Sequence, residues 1–303
     1  MAAKLAFGTA IRESQFNLSE RSVIMMINVK FQSAIRLLLV VVVAVVLSFI
    51  AAPYLPVAID WSTAFRPATL ALLSGRNPYE NSLMIHAPWG MIPLIPLALL
   101  PESVGRVMLI FCGLTSYAYI AHKLGAKLIT IVFLLISPPV LHVLLNGNLD
   151  WLAALGFILP PQIGLFFISI KPQMGIAVAP FWLIQAWRMG GWKQVLKTFF
   201  PFTAVLLLSF LLFGLWPLGS VKTTDYWWNA SLWPMSIPVG LALFITSIRR
   251  QKIEYAMAAS PCLSPYVLFH SWVGVILAIV SSVPETIAAV IGLWILVAIR
   301  FFP

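Results

Sequence analysis

The chain has 303 residues, of which 61% are hydrophobic and only 9% charged, where a soluble domain carries about a quarter charged residues. Its apolar runs are continuous and lack strand-like alternation, which excludes a transmembrane β-barrel and indicates an all-α, polytopic helical membrane protein. The net charge of +10 comes from 19 Lys and Arg scattered between those runs, so it marks topology and anionic-lipid contacts rather than a nucleic-acid surface.

Residues 1–34 read as a cytoplasmic N-terminal tail and 35–303 as one transmembrane domain. Residues 1–24 are polar, carry no period and precede Met25-Met26, as a frayed tail or as an extension upstream of a start at either methionine. The first apolar run, Ile35 to Ala52, follows a polar segment too long for the n-region of a signal peptide and is read as an anchored helix. Lys4, Arg12, Arg21, Lys30 and Arg36 on its N-terminal side place the N-terminus in the cytoplasm and residues 53–88 outside. Within this first outer loop, Thr63 to Ser74 is expected to form a short amphipathic helix on the membrane surface, ended by Gly75 and the Asn77-Pro78 turn.

Further apolar runs cover about 89–100, 104–121, 128–145, 151–170, 173–187, 198–217, 232–248, 256–280 and 284–302, giving eight to ten expected spans. Pro93, Pro96 and Pro160-Pro161 interrupt two of them, and broken segments at membrane depth need protein or water around their freed carbonyls. The basic groups His122-Lys123 with Lys127, Arg188 with Lys193 and Lys197, and Arg249-Arg250 with Lys252 read as cytoplasmic loops. Asn146 to Asp150, Lys171 to Gln173 and Lys222 to Trp233 then fall on the outer side. That parity requires a re-entrant segment within 89–121. Cys112 and Cys262 both lie in apolar runs, with no disulfide expected and no metal-ligand spacing nearby.

Asp60 opens the long outer loop and is its only acid before Glu80. It is either a solvated acid past a helix end or a general base that deprotonates an acceptor hydroxyl. Trp61 and Tyr79 offer stacking faces to a sugar, and Arg66 and Arg76 offer partners to a phosphate. In Gly147-Asn148-Leu149-Asp150, Asp150 reads as a helix cap, or else Asn148 and Asp150 line the rim of a cavity that Asp60 also faces. Lys171, before Pro172 and Gln173, either snorkels or holds a phosphate on the outer side. His270 lies inside an apolar run, where a histidine is costly unless hydrogen-bonded, and His86 closes the outer loop. No His-x-x-x-His, Gly-x-Ser-x-Gly or phosphate-cradling glycine loop occurs, so any glycosyl donor arrives through the lipid phase, and no metal or other cofactor is expected.

In order, the motifs are the acid after the first span, Gly-Arg-Asn-Pro-Tyr at 75–79, and Pro-Leu-Ala-Leu-Leu-Pro at 96–101. They continue with Gly147-Asn148, Lys171-Pro172-Gln173 with Trp192 downstream, Asn229-Ala230-Ser231-Leu232, and Ser264-Pro265 with His270. Over residues 35–272 this series resembles the C-type membrane glycosyltransferases, most nearly glycosyltransferase family 87, the polyprenyl-phosphate-mannose-dependent mannosyltransferases. The chain is shorter than typical members and compressed around Pro160-Pro161, and it lacks a second acid close to Asp60.

The resemblance implies an inverting hexosyltransferase of the plasma membrane. It would move a hexose, mannose by expectation, from a polyprenyl-phosphate sugar to a lipid or glycan acceptor on the outer face. Asp60 would be the base. Lys171, Arg66 and Arg76 would meet the donor phosphate. His270 would line the cavity, with Asn148, Asp150, Gln173, His86, Trp61 and Tyr79 beside it. A transporter or flippase of a lipid-linked or small polar substrate, and an inactive membrane scaffold, are the rival readings.

Overall fold

The computed structural model describes residues 39, 42–218 and 229–301. The expected cytoplasmic tail, the start of the first span and residues 222–228 of an expected outer stretch lie outside these. The chain divides into two compact units, residues 1–50 and 51–303. In the first, residues 42–50 are helical. The second holds every candidate site residue and is built from helices; among the described residues the only extended pairing is one antiparallel bridge, Asn229 with Leu268.

In the stretch expected outside, a 3-10 turn at Ala52–Tyr54 is followed by a π-helical turn, Trp61–Phe65, that runs directly into α1 (Arg66–Leu73). Gly75, at φ +73°, ends it, as a C-terminal glycine is suited to do. Next come α2 (Glu102–Lys123), α3 (Leu128–Leu135), α4 (Pro138–Asn146), α5 (Asp150–Leu155), α6 (Pro161–Ile168) and α7 (Val178–Phe213). The chain closes with α8 (Ile237–Arg250), α9 (Ile253–Cys262), α10 (Val273–Ile279) and α11 (Val283–Phe301).

Among the described residues three helices, α2, α7 and α11, are long and apolar enough to cross a membrane, or four if α3 and α4, bent by 54°, count as one span. Eight to ten spans were expected; the described helices that meet this length are fewer because proline and glycine cut the apolar runs into pieces shorter than a bilayer. Pro93 and Pro96 reduce the 89–100 run to single turns, Pro138 starts α4 after a break, and Pro161 starts α6. The 256–280 run becomes α9, a 3-10 turn at Phe269–Trp272, and α10.

As one continuous helix, the 36 residues of α7 would reach about 54 Å, well beyond a hydrocarbon core of about 30 Å. The backbone leaves helical geometry at Gly190 and Gly191, the latter at φ +59°, between Arg188 and Lys193. The basic connector expected between two apolar runs is therefore a glycine break. Only 11% of the most apolar stretch of α7 and of α11 is buried, against 50% for α2. Leu211 on α7 is 84% exposed. Apolar surface of this extent on helices of this length indicates lipid contact.

The short helices enclose a core that includes Trp61, Phe65, Met91, Tyr117, Leu149, Trp151 and Phe181. One turn in it matters for the site. At the end of α4, Gly147 takes φ +69°, its amide donates to Leu144 O, and the Asn148 amide donates to Val143 O. This is a Schellman ending, and glycine is needed for a second reason. A Cβ at Gly147 would lie 2.6 Å from the Trp61 Cβ and 3.1 Å from that of Ala58. The bare backbone thus brings Asn148 against the turn that carries Asp60. Gly147→Ala should cost roughly 2–4 kcal/mol, from left-handed strain and overpacking together. Thermal unfolding in detergent measures it, and a variant as stable as wild type would show that the turn relaxes freely.

Candidate functional site

Asp60 is half-buried and immediately precedes the π-helical turn. Its Oδ2 accepts a hydrogen bond from Asn148 Nδ2 at 2.6 Å. Asn148 is itself fixed, since its Oδ1 accepts from the Leu149 amide at 2.7 Å. The Gly147 turn therefore delivers a rigid amide to one oxygen of the carboxylate, and among the described residues the other oxygen accepts no hydrogen bond.

Trp61 does not offer a stacking face. It is fully buried, and its indole N–H donates to Glu102 O at 3.2 Å, so it anchors the turn to the start of α2. Tyr79 donates its hydroxyl to His86 O at 2.7 Å and stacks on Trp216 at 5.8 Å, with burial pushing its phenol pKa up. Arg66 reaches Leu100 O at 3.3 Å, and the exposed Arg76 donates to Ser74 Oγ at 3.0 Å. Neither guanidinium is bonded to Asp60 or to the buried cluster below it.

That cluster is centred on Asp150, the first residue of α5. The expected capping role is not what this side chain does: the N-cap position is Leu149, and the Asp150 carboxylate turns to other side chains. Its Oδ1 accepts from Ser271 Oγ at 2.6 Å, and Gln173 Nε2 donates to the same hydroxyl at 3.3 Å. Its Oδ2 faces Lys171 Nζ at 3.4 Å and His270 Nε2 at 3.3 Å. Asp150 and Lys171 are both 0% exposed. Burial alone would push the Asp150 carboxyl up, but the Lys171 ammonium, then His270, outweigh it and hold the carboxyl well below the usual carboxylate range. Lys171, expected to meet a donor phosphate, is thus the counter-ion of Asp150.

His86 is half-buried, with its ring on Phe65 at 5.3 Å. Desolvation, then the Lys171 charge, holds its imidazole below the usual histidine range. Two further members were not singled out in the sequence. His142 Nδ1 lies 3.0 Å from His270 Nδ1, and Asn146 Nδ2 lies 3.0 Å from His142 Nε2. The only sequence signal for this pair is the four-residue spacing of His142 and Asn146 on one face of α4.

The late motifs are also gathered. Asn229 Oδ1 accepts from the Val267 amide at 3.0 Å, Ser231 Oγ donates to Ser264 O at 2.6 Å, and Trp272 Nε1 donates to Ala230 O at 3.2 Å. These bonds tie residues 229–231 to the loop that leads to His270. Among the described residues, no three His, Cys, Asp or Glu side chains converge as metal ligands. Compared with family models, curated proteins and solved structures, the chain matches none.

Proposed function

We propose that the protein is a membrane-embedded inverting glycosyltransferase that moves a hexose, mannose first, from a polyprenyl phosphate to a lipid or glycan acceptor at the outer membrane face. One observation carries this reading: a half-exposed carboxylate, Asp60, with one oxygen pinned by Asn148, at the start of the helical stretch that also bears Arg66 and leads to Arg76. Asp60 takes the acceptor O–H proton as the acceptor oxygen bonds to the anomeric carbon. The bond from that carbon to the phosphate oxygen breaks, and polyprenyl phosphate leaves with the electron pair. Phosphate is already a good leaving group, so orientation of two substrates and removal of one proton supply most of the catalysis. Arg66 and Arg76 are the phosphate partners in this reading, since Lys171 is already engaged by Asp150. The test is transfer of labelled hexose from a polyprenyl-phosphate sugar by the purified protein, with Asp60→Asn as the control. Absence of transfer with every donor supplied removes the proposal.

A proton-coupled transporter is the second reading, because an Asp–Lys–His group buried among short, broken helices is the equipment of an intramembrane proton site. Counterflow in proteoliposomes by a protein that transfers no sugar would establish it. Both readings place the protein in the plasma membrane with several crossings and put residues 53–88 outside. A cysteine at Ser74 should then react with an impermeant reagent added to intact cells, and one at Gly190 should not. The reverse pattern overturns the orientation and places Asp60 on the cytoplasmic side.

A further inference from the structure

His142 is exposed, His270 is buried, and Asp150 is fully buried, so the three form a line from the surface to the centre of the polar cluster. The hydrogens in that line follow from its inner end. Ionised Asp150 can only accept, so His270 presents Nε2–H to Oδ2, 3.3 Å away. His270 Nδ1 is then bare and accepts from His142 Nδ1–H across 3.0 Å. His142 Nε2 is bare in turn and accepts from the Asn146 amide at 3.0 Å. One direction satisfies both hydrogen bonds of the line and turns His270 Nε2–H towards Oδ2, and it leaves both rings neutral with opposite tautomers.

Asp150 Oδ2, Lys171 Nζ and His270 Nε2 are all buried and make no aligned hydrogen bond despite their closeness. Oδ2 is therefore the place in this line where a proton can arrive, and the Lys171 ammonium 3.4 Å away opposes its staying there. We infer that Asn146, His142, His270 and Asp150 form a proton-transfer line that carries a proton from the surface to the buried carboxylate opposite Lys171.

The step balances. A proton from solvent bonds to His142 Nε2, and His142 Nδ1–H passes to His270 Nδ1. His270 Nε2–H then passes to Asp150 Oδ2. Both rings end neutral with their tautomers exchanged, and Asp150 becomes a carboxylic acid. Asn146 accommodates either state, because its amide can turn from donor to acceptor at His142 Nε2. Lys171 loses its counter-ion in the loaded state. The four side chains sit on α4, α5 and the Phe269–Trp272 turn, so loading changes the contacts between separate short elements. His270, then Asp60 and Asp150, act electrostatically on His142, and Asp150 is the charge that His270 and Lys171 both face. His86 and Tyr117 are the other titratable groups coupled to this cluster. This line stands whichever reaction Asp60 serves.

The test uses the full chain with 15N-labelled histidine in lipid nanodiscs; the four histidines are assigned by single substitution. At neutral pH the expected result is Nδ1–H on His142, the less common solution tautomer, and Nε2–H on His270. His270→Gln should release His142 to the ordinary tautomer and shift its acid transition by about one pH unit or more, a tenfold change in proton affinity. Should the buried substitution prevent folding, His142→Gln, at the exposed end, serves instead and should move the His270 transition by a similar amount. An Nε2–H tautomer on His142 in the wild type overturns the inference. So does a partner's transition that stays in place in whichever variant folds.

Discussion

Lys171→Met is expected to destabilise the protein by roughly 3–5 kcal/mol, because it leaves the Asp150 carboxylate buried without its cation. Both side chains are 0% exposed and 3.4 Å apart, so no solvent takes over the charge that is removed. His270 and Ser271 remain beside Asp150, but neutral donors replace only part of a full positive charge. The phosphate contact expected from the sequence would, when lost, weaken lipid binding and leave folding intact; burial makes the fold respond first. Thermal unfolding in detergent reads the loss. The double variant Lys171→Met with Asp150→Asn should recover a large part of it, since the uncompensated charge is then gone. A Lys171→Met protein with wild-type stability and weakened lipid-phosphate affinity would return the lysine to the donor site.

How much of this was readable in advance depends on the range of the interaction. Apolar runs report where helices are, and they located α2 and α11 closely and the two halves of α7 approximately. They do not report where a helix breaks inside a run. Ser137-Pro138 in the middle of 128–145 bends the chain by 54° without any drop in hydrophobicity, so the run shows one span where the structure has two short helices. Gly75 and the helix it ends were legible because left-handed glycine at a helix end is a local signal. The approach of Asn148 to Asp60 was legible only as the expectation that both lie on one side of the membrane. Its cause, a glycine that lets the backbone sit against Trp61, involves residues 86 positions apart. The same limit hid the pairing of His142 with His270 and misread Asp150 as a cap, since no periodicity encodes contact between two short helices distant in sequence.

Asp60→Asn should lower hexose transfer by about 10²–10⁴-fold while substrate binding is nearly kept. The substitution preserves shape, and the amide oxygen can still accept from Asn148 at the position Oδ2 now holds. It cannot take a proton. The loss should therefore fall on kcat, which separates a base from a residue that merely binds sugar. Asn148→Ala gives the complementary case: the carboxylate remains a base but loses the bond that aims it, so turnover should fall less than in Asp60→Asn and the two losses should not add. Glu80 is the internal control, being exposed at the end of the Pro78–Glu80 turn, and Glu80→Gln should keep near-wild-type transfer. The measurement is initial-rate kinetics with polyprenyl-phosphate hexose and a lipid acceptor, alongside equilibrium binding of the donor. If Asp60→Asn transfers sugar at the wild-type rate, the carboxylate is not the base. The pinned pair Asp60–Asn148 is then a structural clasp, and the buried Asp150–Lys171–His270 group becomes the better guide to what the protein does.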